Sequence, residues 1–154
     1  QTPNPKPQTP KPHPFIINKI YKILLLIMTL FDKYGGQSTV NVLVEYFYNQ
    51  LVLKDNYVKH FFVGIDMNKQ MQKQSSFIAF ALGGPKEYTG RTMKKCHEKY
   101  PIKDEHFNTI IKHLKTTLQV HGVEDSDILL VENKLLTFRK DIVTIDNNCK
   151  CNDI

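Results

Sequence analysis

Two glutamines lie on the apolar side of a helix that the sequence predicts over residues 67–82. Gln70 and Gln74 are one helical turn apart and share a stripe with Met67, Met71 and Phe77. A buried amide without a hydrogen-bond partner costs about 1 to 3 kcal/mol, so we expect both amides to meet a polar group. The alternatives are a pair that faces solvent or a pair bonded to each other.

A tyrosine is the third polar group at a predicted core position. Tyr48 lies on the apolar stripe of an earlier helix, which Ser38 or Thr39 would cap. A buried phenol also needs a hydrogen-bond partner. The stripe consists of Val40, Leu43, Val44, Phe47, Tyr48 and Leu51.

The charge balance argues against a nucleic-acid partner. The chain of 154 residues has a net charge of +6, but four lysines precede the first acidic residue, Asp32, so residues 32–154 carry only about +2. No basic stripe with interleaved aromatic residues accompanies this small excess. We therefore expect no nucleic-acid partner.

The cysteines favour a reducing compartment. Cys96, Cys149 and Cys151 are odd in number and lack the spacing of a disulfide framework. Cys149 and Cys151 form a Cys-x-Cys pair, which is an incomplete zinc site without further soft ligands nearby. We expect an intracellular protein, and the choice between cytoplasm and mitochondrion stays open.

The chain is predicted to be all-α, with one hydrophobic core. Residues 83–90 contain glycines and a proline that end the glutamine helix. Two further helical stripes follow, and Ser126 would cap the second. The first contains Phe107, Ile110, Ile111, Leu114 and Leu118, and the second contains Ile128, Val131, Leu135, Phe138 and Ile142.

Two segments precede the predicted domain, which covers residues 32–145 and is followed by a tail, residues 146–154. Residues 1–14 hold six of the eight prolines and should be extended. Residues 15–31 are apolar and basic, and their longest uncharged run, nine residues, is shorter than the roughly 20 that span a bilayer. A helix packed on the domain or on a membrane surface is favoured; a targeting sequence or an extension before a start at Met28 stays open.

Short motifs follow one another along residues 28–143 in a specific order. They are Tyr34-Gly35-Gly36, Phe47-Tyr48, Phe61-Phe62, Gln70 with Gln74, Phe77, Ala81-Leu82-Gly83-Gly84-Pro85, Tyr88-Thr89-Gly90-Arg91, Met93-Lys94, His97, Asp104-Glu105-His106-Phe107 and Gly122-Val123. No single glycine pair is specific, but with the whole series the chain resembles the group I truncated haemoglobins. Members of that family generally have no counterpart of residues 1–27.

This resemblance implies a two-over-two helical sandwich around a b-type haem, with His97 as the ligand of the iron. A neutral imidazole suits that role and leaves the opposite position open for a gas. His60, His106, His113 and His121 would be surface or capping residues. The resemblance also places Phe62, Lys73, Phe77, Met93, Phe107 and Ile110 around the haem, with Lys73 at a propionate. Ordinary packing, or an unpaired surface lysine, explains these six residues equally well.

By the same resemblance, Tyr48, Gln70 and Gln74 would donate hydrogen bonds to oxygen at a pentacoordinate iron. The expected function is reversible binding of oxygen, as in oxygen transport, with slow release. Oxidation of nitric oxide to nitrate, which needs a reductase, is the enzymatic alternative. A structural role, with the globin docked on a protein complex or a membrane surface through residues 15–31, is the third hypothesis.

Overall fold

The structure, a computed structural model, describes residues 28–85 and 90–145. The expectations for residues 1–14, for residues 15–27, for Tyr88 and Thr89 and for Cys149 and Cys151 lie outside these ranges. Every regular element in the described ranges is helical, which confirms the all-α class. No helix within them is both long and apolar enough to cross a membrane.

Two pairs of helices form the layers of the described fold. Helix α2 packs on α3, α5 packs on α6, and contacts between α2 and α5 join the pairs. The α-helices are α1 (Leu30–Lys33), α2 (Gly36–Tyr46), α3 (Met67–Ala81), α4 (Met93–His97), α5 (Asp104–Val120), α6 (Asp125–Leu136) and α7 (Arg139–Ile142). A π-helical turn (Phe47–Leu51) and a 3-10 turn (Val52–Lys54) continue α2, and a second 3-10 turn (Lys59–Phe62) precedes α3.

The hydrophobic core lies between the two pairs. Val40, Val52 and Val58 are almost fully enclosed in it, and α5 and α6 contribute Leu118 and Ile128. Burying each such side chain stabilises the fold by about 1.5 to 3 kcal/mol relative to its exposure. The predicted apolar stripes therefore meet in one common core.

The glutamine helix ends where the sequence predicts. Helix α3 begins after Asp66, whose side chain accepts a hydrogen bond from the Lys69 amide at 3.2 Å. After α3 the chain turns at Gly83, whose φ of +87° is left-handed. A Cβ at Gly83 would lie 3.0 Å from Thr29, so a larger residue there would be both strained and crowded. The turn thus depends on glycine.

The predicted cap of the Tyr48 helix is wrong. Helix α2 begins at Gly36, two residues before Ser38, and its N-cap is Gly35 with a φ of +89°. The Ser38 hydroxyl donates to the Gly35 carbonyl at 3.1 Å instead of capping the helix. The left-handed Gly35 permits the tight turn between α1 and α2, and no side chain caps α2.

The last predicted helix is divided in two, and its predicted cap is also wrong. Ser126 lies inside α6, whose N-cap is Glu124. The Glu124 amide donates to the Tyr34 hydroxyl at 3.1 Å, so a residue distant in sequence supplies the partner. Between α6 and α7 the hydrogen bonds tighten to i→i+3, as in Thr137 N–H to the Lys134 carbonyl at 3.3 Å.

Candidate functional site

Tyr48 and Gln70 meet in the core. The Gln70 Nε2 donates to the Tyr48 Oη at 3.1 Å, and Tyr48 is only 2% exposed. Burial raises the pKa of the Tyr48 phenol to about 12, while the hydrogen bond from Gln70 acts in the opposite direction. The phenol is therefore neutral at physiological pH. Its oxygen accepts from Gln70 and its own proton remains available to a further acceptor, because no acceptor for it lies among the described residues.

A π-helical turn carries Tyr48. It spans Phe47–Leu51, and the Val52 amide that closes it donates to the Phe47 carbonyl. The sequence predicts an ordinary helix here, because Tyr48 and Leu51 also fit a 3.6-residue period. Insertion of such a turn rotates the following side chains relative to the preceding helix, and it occurs frequently at functional sites. No signal in the residue types distinguishes it from an α-helical continuation.

Gln74 lies one turn after Gln70 and borders an apolar cavity. Its side chain is half-buried and makes no hydrogen bond within residues 28–85 and 90–145. The polar atoms of this amide are not fully buried, and their unused donors are available to a ligand beside the cavity. The cavity is lined by Leu43, Val44, Phe47, Gln74, Ile78, Leu82, Leu114, Leu118 and Val131.

A serine that the sequence analysis missed ties the two helices of this site together. Ser75 is buried in α3, and its hydroxyl donates to the Asn41 Oδ1 of α2 at 2.9 Å. The bond holds the glutamine helix against the helix that leads to Tyr48. A serine next to Gln74 on a predicted helix carries no sequence signal for this role, because exposed helical serines are common.

Phe62 packs edge-on against Tyr48, with ring centroids 5.4 Å apart and an interplanar angle of 74°. Phe47 contacts the same phenol ring from the preceding position at 5.0 Å. The structure thus brings Phe62, Tyr48 and Gln70 into one cluster. Such edge-to-face contacts restrict the position of the phenol.

His97 is the last residue of the short helix α4, and its side chain is half-buried. Its Nδ1 lies 2.7 Å from the Met93 carbonyl oxygen, which can only accept, so Nδ1 carries the proton and donates. The Nε2 atom then presents a lone pair, and it has no partner among the residues described. This tautomer leaves Nε2 free to ligate a metal.

The other histidines occupy different environments. His106 accepts from the Lys103 amide at 3.1 Å at the start of α5, and His121 bonds the Thr117 carbonyl at the end of α5. His113 contacts the Asp55 carboxylate at 2.7 Å, and His60 is exposed. Among these four, the three that make hydrogen bonds use them to hold helix ends or loops.

The remaining predicted haem contacts are distributed among α3, α4 and α5. Phe77 and Phe107 are buried, Met93 and Ile110 are half-buried, and Lys73 is exposed. Phe77 packs on Phe138 with ring centroids 5.6 Å apart. These burials are compatible with an apolar pocket that has a basic group at its edge.

This donor set fits a haem. It offers one imidazole with a free Nε2, apolar side chains and neutral hydrogen-bonding groups. Within the described ranges no group of three or more His, Cys, Asp or Glu could hold a metal ion. The set therefore suits an iron that arrives in its own ring and needs a single axial ligand from the chain.

The fold and this donor set define a small haem-binding α-helical protein. Comparison with known proteins shows that the chain belongs to the bacterial-like globin family, whose model matches residues 29–144, and specifically to the group I truncated haemoglobins. Group 1 truncated hemoglobin from Tetrahymena pyriformis is 36% identical over 115 residues, which is 75% of this chain and 94% of the relative. Haem iron is accordingly its cofactor.

Solved structures agree with this assignment. The Fe(III) form of the truncated hemoglobin from Tetrahymena pyriformis superposes with a TM-score of 0.71 at 36% identity, covering 75% of this chain and 98% of that one. The 2/2 hemoglobin from Synechococcus, in a cyanomet state with covalently attached heme, also has a TM-score of 0.71 at 35% identity, covering 77% of this chain and all of that one. The predicted two-over-two globin fold is thus confirmed.

Proposed function

We propose that the protein binds molecular oxygen reversibly, with His97 as the axial ligand and Tyr48, Gln70 and Gln74 as hydrogen-bond donors to the bound gas. The observation that supports this proposal most directly is the contact between Gln70 and Tyr48, in which the phenol oxygen accepts a hydrogen bond and the phenol proton stays available. A diatomic ligand that gains negative charge on binding is the acceptor that this proton lacks.

The residues around the site have distinct parts in this proposal. The Met93 carbonyl orients the His97 imidazole, so that Nε2 is available to iron. Gln70 and Phe62 hold the Tyr48 phenol in place. Because its pKa is about 12, the phenol keeps its proton throughout the physiological range. When bound, the haem supplies the iron at which the gas is reversibly held.

Oxygen dissociation from the haem-loaded protein tests the proposal. A hydrogen bond to a charged acceptor is worth about 1.5 to 3 kcal/mol, so Tyr48→Phe should release oxygen roughly 10-fold faster or more. Tyr46→Phe is the matched control, because Tyr46 packs on His121 and makes no hydrogen bond through its hydroxyl within the described residues. An unchanged rate in Tyr48→Phe, measured by stopped flow, would exclude Tyr48 as a donor to the ligand.

Nitric oxide oxidation to nitrate is the second candidate. The apolar cavity beside Gln74 supports it, because nitric oxide, like oxygen, is an uncharged gas that partitions readily into an apolar space next to the proposed binding position. This activity needs a reductant to restore ferrous iron after each turnover. Catalytic consumption of nitric oxide in the presence of excess reductant would support it, and a single stoichiometric turnover would contradict it.

A further inference from the structure

The C-terminal strap, defined as residues 139–145, crosses the segment that follows the His97 helix. Helix α7, within the strap, contacts α4. The Arg139 Nε donates to the Asp104 Oδ1 at 2.8 Å at one end of the strap. At the other end, the amides of Thr144 and Ile145 donate to the Ile102 carbonyl at 2.9 and 3.0 Å. The strap is thus bonded to both ends of residues 102–104.

The Thr144 hydroxyl makes further contacts between the strap and this segment. It donates to the Tyr100 carbonyl at 2.5 Å and accepts from the Ile102 amide at 2.9 Å. The Tyr100 amide in turn donates to the His97 carbonyl at 2.9 Å. Tyr100 therefore joins the Thr144 side chain to the backbone of His97, with one hydrogen bond to each.

Helix α4 depends on contacts of this kind. It has only five residues, Met93–His97, and a helix of that length does not hold its own position. Thr92 caps its first turn through the Lys95 amide at 3.3 Å, but that contact is local to the helix. The bonds that leave its C-terminal end run through Tyr100 to the strap.

We propose that Thr144 is a positioning residue for the His97 imidazole, and that the strap sets how far this imidazole is held from the haem. The inference rests on the proposed ligation of iron by His97. Loss of the Thr144 hydroxyl removes the strap's donor to the Tyr100 carbonyl, which then keeps only the Ile102 amide at 2.9 Å, and lets the end of α4 shift. The Met93 contact at Nδ1 moves with the helix and does not compensate.

The test uses the full chain loaded with haem and compares Thr144→Val, Thr144→Ser and Thr137→Val. Thr137 is the matched control, since its exposed hydroxyl donates only to the Lys134 carbonyl of its own helix, at 2.6 Å. The readouts are the iron–histidine stretching band of the ferrous protein in resonance Raman spectra and the association rate of carbon monoxide after flash photolysis. Circular dichroism verifies that each variant is folded, which the exposed position of Thr144 favours.

In Thr144→Val we expect the band to shift and the association rate to change by about 2- to 10-fold, the range that one hydrogen bond provides. Thr144→Ser should restore both values, and Thr137→Val should leave both unchanged. A wild-type band and rate in Thr144→Val would overturn the positioning role while the ligand assignment stands. Absence of an iron–histidine band in the wild-type protein would overturn both proposals.

Discussion

The Gln70 amide lies 3.1 Å from the Tyr48 hydroxyl and donates to it across the interface between α3 and the π-helical turn. The two residues therefore act as one unit, in which the amide orients the phenol. Gln70→Leu should speed oxygen release by about 2- to 10-fold, because one neutral hydrogen bond is worth about 0.5 to 1.5 kcal/mol. The double variant with Tyr48→Phe should be faster than Tyr48→Phe alone, but by less than the two single effects multiplied, because Gln70 acts both on the ligand and through the phenol.

Stopped-flow measurement of the four proteins completes a double-mutant cycle. Purely additive effects of the two substitutions would mean that Gln70 does not orient the phenol.

His97→Gly should abolish stable haem binding, because the chain then has no imidazole at the end of α4. Absorption spectra of purified protein, reduced and with carbon monoxide, measure this directly. Free imidazole should restore the Soret band, since it fills the space that the side chain leaves. The exposed His60, replaced in the same way, is the control. A variant that keeps its pigment without added imidazole would disprove the ligand assignment.

Gln74→Leu should separate stability from function. The half-buried amide has no partner within the described ranges. An apolar replacement of similar size should therefore leave the free energy of unfolding unchanged or raise it by about 1 kcal/mol. Oxygen release should nevertheless become faster, because a donor is lost. Urea unfolding and stopped flow measure the two effects, and the exposed Gln72→Leu serves as the control. Slower oxygen release would contradict the role of Gln74.

The buried phenol should make the fold sensitive to alkaline pH. The pKa of Tyr48 is about 12 in the folded protein and about 10 in an unfolded chain. Below pH 10 the Tyr48 phenol is neutral in both the folded and the unfolded protein, and its contribution to the free energy of unfolding is fully present. As the pH rises from 10 to 12 the unfolded state loses its proton first, so about 2 to 3 kcal/mol of stability is lost.

Urea unfolding at a series of pH values checks this prediction, and Tyr48→Phe should flatten the decline. An identical alkaline limb in both proteins would show that the phenol does not contribute to it.

Titration of the Asp127 carboxyl should make the stability of the fold depend on pH in the acid range. Hydrogen bonds from Lys33 at 2.7 Å and from Tyr34 at 2.6 Å hold the pKa of the Asp127 carboxyl below its ordinary value. The stabilisation is therefore present above about pH 3.9 and is lost as the pH falls through the lowered pKa. Asp127→Asn should make unfolding less dependent on pH in this acid range.

Tyr34→Phe should cost about 1 kcal/mol at neutral pH, since it removes the hydroxyl that links α1 to α6. Thermal unfolding between pH 2 and pH 7 measures both variants. Asp125→Asn, an exposed carboxyl in the first turn of the same helix, is the control. If Asp125→Asn and Asp127→Asn behave alike, the Lys33 and Tyr34 contacts do not stabilise the fold.

Much of this protein follows from local sequence. The stripe that places Gln70 and Gln74 among apolar residues predicts α3 to within one residue, because helical period depends on the chain itself. The same pattern indicates that the two amides need a polar partner, because an ordinary apolar core would leave them without one. The ordered motifs from Tyr34 to Val123 indicate the globin family and its haem.

Other features depend on residues far apart in sequence. The division between α6 and α7, the Tyr34 contact at the Glu124 amide and the Ser75 contact with Asn41 leave no local pattern. The sequence also gives no signal for the π-helical turn, because its residues fit an α-helix equally well. Packing between helices selects among conformations that local preferences leave nearly equal in energy, since those preferences amount to only about 1 kcal/mol per residue. Only the tertiary structure therefore decided which donor faces Tyr48, whereas the free nitrogen of His97 follows from a local contact with Met93, four residues earlier in the same helix.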